Sequence, residues 1–154
     1  EINSSFYGPH QPSTYARWAA AVPAHFRSTV KMPKTISHEK RLRACGRDLD
    51  TFLAEVTQLG SKLGVLLLQL PPSLAFERRT ALSFFDVLRR RHAGPVACEP
   101  RHASWFRGAV QSELGARGIC CQEIDVKGID RPVEVEVAAQ SGCCEAQDAR
   151  RVKL

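Results

Sequence analysis

Apolar residues in this chain alternate between short unbroken runs and three- to four-residue periods, which predicts repeated strand–helix units. The run Leu63-Gly64-Val65-Leu66-Leu67-Leu68-Gln69-Leu70 is nearly all apolar, as a parallel strand covered on both faces must be, and Pro71-Pro72 stops it. Val96-Ala97-Cys98-Glu99, after the Gly94-Pro95 turn, reads as another buried strand. EINSSFY at 1–7 and FRSTVK at 26–31 predict two earlier ones. Between those two, Tyr15, Trp18 and Val22 share one face of a helix that Ser13 caps and Pro23 ends. Leu42, Cys45, Leu49, Phe52, Leu53 and Val56 form the stripe of a long helix from about 39 to 60, closed by Gly60. A helix near 78–91 follows through Leu82, Phe85 and Leu88, with Phe84 on its flank. Ser104 is expected to cap one over 105–114 that turns Ala109, Val110 and Leu114 inward.

Strands and helices alternating at this spacing specify crossovers and a mostly parallel sheet. The fold class is therefore α/β, read as a partial TIM-type (β/α) barrel that this chain alone is unable to close. Residues 1–114 form that unit in this reading, and 115–154 are an atypical or misjoined segment. Within the latter, RPVEVEVAA at 131–139 alternates as an edge strand with one wet face, and QSGCCEAQDARRVKL has no apolar period and reads as a loose tail.

Composition narrows the classes. An apolar fraction of 44% with 25% charged residues excludes a disordered or fibrous chain. Residues 1–115 carry 16 basic and 9 acidic side chains, a balance of +7, against 6 and 7, a balance of −1, for 116–154. Such a surplus favours anionic partners, a small molecule or nucleic acid, although Arg89-Arg90-Arg91 is also what a helix C-terminus attracts. No apolar run is long enough to span a bilayer and no leader is visible, so a cytoplasmic protein without a membrane partner is expected. Cys45 and Cys98 fall in apolar patterns and read as buried thiols, whereas the doublets Cys120-Cys121 and Cys143-Cys144 fit no CxxC spacing.

The candidate chemistry lies where polar residues end the strands. With a period of two, Gln69 shares a face with Val65 and Leu67, Glu99 with Ala97, Lys31 with Thr29, and Glu1 with Asn3. Lys31, Gln69 and Glu99 close their strands, and in parallel α/β folds those ends border one ligand-binding crevice. A Lys31–Glu99 ion pair would be the purely structural use of the same residues. In Glu99-Pro100-Arg101-His102-Ala103-Ser104-Trp105, Arg101 offers planar donors for carboxylate or phosphate, and His102 suits proton transfer or capping. His38 follows Ser37 at the expected start of the long helix, with Lys31 and Lys34 upstream, an arrangement that suits an anion. No metal or nucleotide-binding motif is present, and no cofactor is predicted.

Taken together, EINSSFY, Trp18, Pro23-x-x-Phe26, Val30-Lys31, Ile36-Ser37-His38, Phe52, QLPPS at 69–73 and Glu99-x-Arg101-His102-x-Ser104-Trp105 resemble the YecE-like family, domain of unknown function number 72. The resemblance covers about 1–114 and implies a TIM-barrel-like domain longer than this chain, with a strand before Glu1 and further strands after Leu114. It matches the family's recurring polar positions to Glu1, Asn3, Lys31, His38, Gln69, Glu99, Arg101 and His102, and places Pro100 where the family usually has an aromatic. An incomplete copy is expected to be marginally stable or to aggregate through its open edge.

Two uses of such a rim follow. In the first, it binds or turns over an anionic substrate, with a phosphorylated compound or a nucleotide as the candidates. Glu99, His102 and Lys31 are then the catalytic candidates, and Glu1, Asn3, His38, Gln69 and Arg101 the ligand-binding ones. In the second, the basic half binds nucleic acid without catalysis. An inactive fragment is the third reading.

Overall fold

The computed structural model describes residues 1–121 and the backbone of 135–136 and 151–152. Four strands, β1 (Ser28–Lys31), β2 (Leu63–Gln69), β3 (Val96–Glu99) and β4 (Ile119–Cys121), make one parallel sheet in the order β1-β2-β3-β4. The helices are α1 (Ser4–Tyr7), α2 (Pro12–Ala20), α3 (Gly46–Val56), α4 (Arg78–Arg89) and α5 (Gly108–Gly115). Each adjacent strand pair is joined through helix, the α/β arrangement that the apolar pattern specifies. Sequential strand order is compatible with an arc of a (β/α) barrel. A separate antiparallel pair joins β5 (Val135–Glu136) to β6 (Arg151–Val152). The remainder of the expected edge strand at 131–139, most of the expected loose tail, and Cys143 and Cys144 lie outside the described residues.

Strand register sorts the side chains. Val30, Leu66, Val96 and Ile119 stand in one row, with Leu68, Cys98 and Cys121 in the second row above it. This face joins the stripes of α3 and α4 in one core that includes Leu49, Phe52, Val56, Leu82, Phe85 and Leu88. Leu66, Leu68 and Leu70 are fully buried, and each contributes about 1.5–3 kcal/mol. The opposite face carries Lys31, Leu67, Ala97 and Cys120 in one row and Gln69 beside Glu99 in the second row above it. Cys45 and Cys98 are buried, and burial pushes both thiols up, Cys45 to about 11.

Five local expectations are corrected. The first predicted strand shrinks to one parallel bridge, Ile2 to Val30, because α1 begins two residues later. Ser13 does not cap α2; the helix starts at Pro12, whose ring presets the first turn. The long helix does not run from 39, since Thr35–Glu39 forms a π-helical turn and Arg41, Leu42 and Ala44 all take left-handed backbone before α3 opens at Gly46. Leu42 and Cys45 are still buried, so the periodic stripe recorded burial rather than helix. Ala103–Phe106 is a short 3₁₀ turn separate from α5, and Ala109 faces out. Phe84 is buried rather than on the flank, and β4 is a parallel strand that the sequence pattern did not single out.

Candidate functional site

The C-terminal ends of β1, β2 and β3 assemble the rim. Gln69 and Glu99 are register partners, and the Gln69 amide donates to Glu99 Oε1 at 2.7 Å. Arg101 donates to the same oxygen at 3.4 Å. Among the described residues, Glu99 Oε2 takes no hydrogen bond. Glu99 is only 5% exposed, and two donors, one of them charged, offset the burial of its carboxylate. The Lys31–Glu99 ion pair, the purely structural alternative for these residues, is absent among the described residues, and Arg101 pairs with Glu99 instead.

Lys31 turns instead to an aromatic. Its ammonium stands 4.8 Å from the centre of the Phe6 ring, a cation–π contact. The Phe6 ring also meets His38 edge-on at 5.1 Å and Tyr7 at 5.2 Å. Ser5 anchors α1 at this spot: it is buried, and its hydroxyl donates to the carbonyl of Lys31 at 2.7 Å. His38 lies in the π-helical turn with Nδ1 2.8 Å from Ser37 Oγ. Burial lowers the pKa of His38, and the positive charges of Lys31 and Arg101 lower it further. Lys31 on β1 and Arg101 beyond β3 therefore both act on one imidazole.

His102 has a local duty. Its Nδ1 accepts the Ser104 backbone N–H at 3.2 Å and lies 2.8 Å from the Ser104 hydroxyl, so His102 caps the 3₁₀ turn in place of Ser104. Ser104 Oγ in turn accepts the Phe76 N–H at 2.7 Å. An Nδ1 that accepts leaves the proton of a neutral imidazole on Nε2, which makes that edge a donor. Asn3 and Glu1 flank Ile2, whose carbonyl accepts the Lys31 N–H at 3.0 Å; both are exposed beside β1. Ser37 is buried within its turn and caps no helix, and Lys34 pairs with Glu39 at 3.6 Å, so the helix-terminus anion site expected at His38 is not formed.

Sequence reasoning missed Phe6 and Tyr7, which it treated as strand. It also missed the burial of Glu55. Glu55 is buried and accepts the His10 backbone N–H at 3.2 Å, and burial together with Glu55 pushes the Tyr15 hydroxyl up to about 12. A period-based reading assigns Tyr15 and Glu55 to a helix's apolar and wet sides and so carries no signal for their meeting. A cavity of about 160 Å³ adjoins the rim between the loops after β1 and β2, lined by Arg41, Ser73, Glu77, Thr80 and Trp105 among others. Lys31, Gln69 and Glu99 do not line it.

Residues 1–147 match the family model described as "Protein of unknown function DUF72". The chain belongs to this family. Two DUF72 relatives, the UPF0759 protein YecE of Escherichia coli O157:H7 and of strain K12, are 30% identical to it over 155 residues, covering 99% of this chain and 55% of YecE. A solved DUF72 structure from Enterococcus faecalis V583 superposes with a TM-score of 0.66 at 22% identity, covering 77% of this chain and 51% of that one. Another, from Thermotoga maritima MSB8, gives 0.61 at 26% identity, covering 75% and 46%. The chain thus spans about half the length of these DUF72 proteins. Among the described residues, no helix is long and apolar enough to cross a membrane.

Proposed function

We propose that this rim binds a small phosphorylated anion and that the DUF72 domain turns it over by proton transfer. The observation supporting this reading is that Arg101, which donates to the buried carboxylate of Glu99, and Lys31, held on the Phe6 ring that also meets His38, come from separate strand ends and both act on the His38 imidazole. Lys31 and Arg101 supply charge to the anion, with Arg101 able to offer a planar fork. Gln69 fixes the Glu99 carboxylate through Oε1, leaving Oε2 to accept a proton from the substrate. The Nε2–H of His102 offers the ligand a hydrogen bond rather than a proton, and Asn3 orients the ligand from beside Lys31. Lys31 as a Schiff-base nucleophile is a narrower version, in which borohydride traps an adduct with a carbonyl substrate.

The test is a panel of phosphorylated small molecules against the wild type, Arg101→Ala and Glu99→Gln, followed by calorimetry and product analysis. Arg101→Ala is expected to weaken binding about tenfold or more, a hydrogen bond to a charged group being worth roughly 1.5–3 kcal/mol. Glu99→Gln is expected to keep binding and lose turnover. Turnover retained in both variants rejects these roles.

A further inference from the structure

Tyr7 is 75% exposed, the most exposed large apolar side chain described. A single exposed aromatic needs no explanation by itself. Its position supplies one. The Phe6 ring touches both Tyr7 and the rim, with 4.8 Å from its centre to Lys31 Nζ and 5.2 Å to the Tyr7 ring, so Tyr7 lies no more than about 10 Å from the ammonium. That is the reach of a phosphate joined through one sugar to a flat ring. The turn carrying Tyr7 is also fixed rather than loose. Ser5 ties it to the carbonyls of Lys31 and Ile2, and the edge-on contact with Phe6 sets the plane of the Tyr7 ring. The other exposed large apolar side chain, Phe26, precedes β1 and so lies at the far end of that strand from the rim.

We infer that Tyr7 is a stacking platform and that the ligand of the rim is a nucleoside monophosphate, its phosphate on Lys31 and Arg101 and its base on the Tyr7 ring. This rests on the anion-binding reading above and adds the class of organic group. Base–aromatic stacking tolerates any base, so discrimination is between a base and no base rather than among bases. The Phe6 ring, already taken by Lys31 and His38, serves as the spacer that sets the distance between the two ends of the ligand.

The experiment measures binding of adenosine 5′-monophosphate, ribose 5-phosphate and inorganic phosphate to this chain by calorimetry, for the wild type, Tyr7→Ala, Tyr7→Phe and Lys31→Met. The wild type is expected to hold the nucleotide about tenfold or more tighter than ribose 5-phosphate. Tyr7→Ala removes that difference while leaving ribose 5-phosphate unchanged, Tyr7→Phe restores it, and Lys31→Met weakens all three probes. Equal affinity of the wild type for nucleotide and sugar phosphate, or a Tyr7→Ala variant that still discriminates, overturns the inference and leaves the anion site standing. A wild type that binds none of the three overturns both. A 5′-phosphorylated trinucleotide held tighter than the mononucleotide also overturns it, in favour of a nucleic-acid strand.

Discussion

Ala44 sits in left-handed backbone at φ 51° with its side chain exposed. A β-carbon there crowds the following carbonyl at a cost of roughly 1–2 kcal/mol, and the exposed methyl has little burial to offset it. Arg41 and Leu42 take the same region at φ 50° and 68°, but each has a reason to stay. Arg41 donates to the Ser73 carbonyl at 2.7 Å, and Leu42 is buried in the core. Ala44→Gly is therefore expected to stabilise the chain by about 1 kcal/mol, read as a higher urea midpoint at unchanged slope. A lower midpoint contradicts the strain argument. The residues around this segment explain why the sequence misled there. Leu42 and Cys45 sit at helical spacing because both must be buried, and burial alone does not specify backbone.

At the level of elements, β2 and β3 were legible because parallel strands covered on both sides leave long apolar runs that end abruptly in polar residues. That same ending made Gln69 and Glu99 readable as rim residues, and the direct hydrogen bond between them follows from their register. Short elements were not legible. Four residues of α1 and four of the 3₁₀ turn at Ala103–Phe106 are too few to show a period, and they are held by single side-chain bonds, from Ser5 to the distant Lys31 carbonyl and from the Ser104 N–H to the neighbouring His102 ring. The aromatic side of the rim was missed for that reason. Trp105 links the 3₁₀ turn to the loop after β2, since its Nε1–H donates to the Leu74 carbonyl at 2.8 Å in the core. Trp105→Phe keeps most of the apolar volume and leaves that carbonyl unpaired, so a loss of about 1–3 kcal/mol is expected in chemical denaturation. An unchanged midpoint shows that the bond holds nothing in place.

For the whole molecule, net charge is a weaker guide than the placement of individual charges. Arg89 donates to the carbonyls of Arg117, Gly94 and Gly118, and Arg91 pairs with Asp50 at 2.6 Å, so two residues of the basic run stabilise the fold around the end of α4. The nucleic-acid reading loses those contacts, while Lys31 and Arg101 remain directed at the rim. The chain also spans only about half the length of its relatives, and the activity proposed above is proposed for the full-length domain.

The account depends on loops from separate strands bringing their charges to one point, and His38 reports on that point. Its cation is opposed first by burial and then by Lys31 and Arg101, so its pKa lies below the ordinary histidine range, and removing either positive neighbour must raise it. The decisive measurement is an NMR titration of His38 in the wild type, Lys31→Met and Arg101→Met. The account predicts a depressed value that rises in each variant. A His38 that titrates in the ordinary range and is unmoved by both substitutions would contradict it.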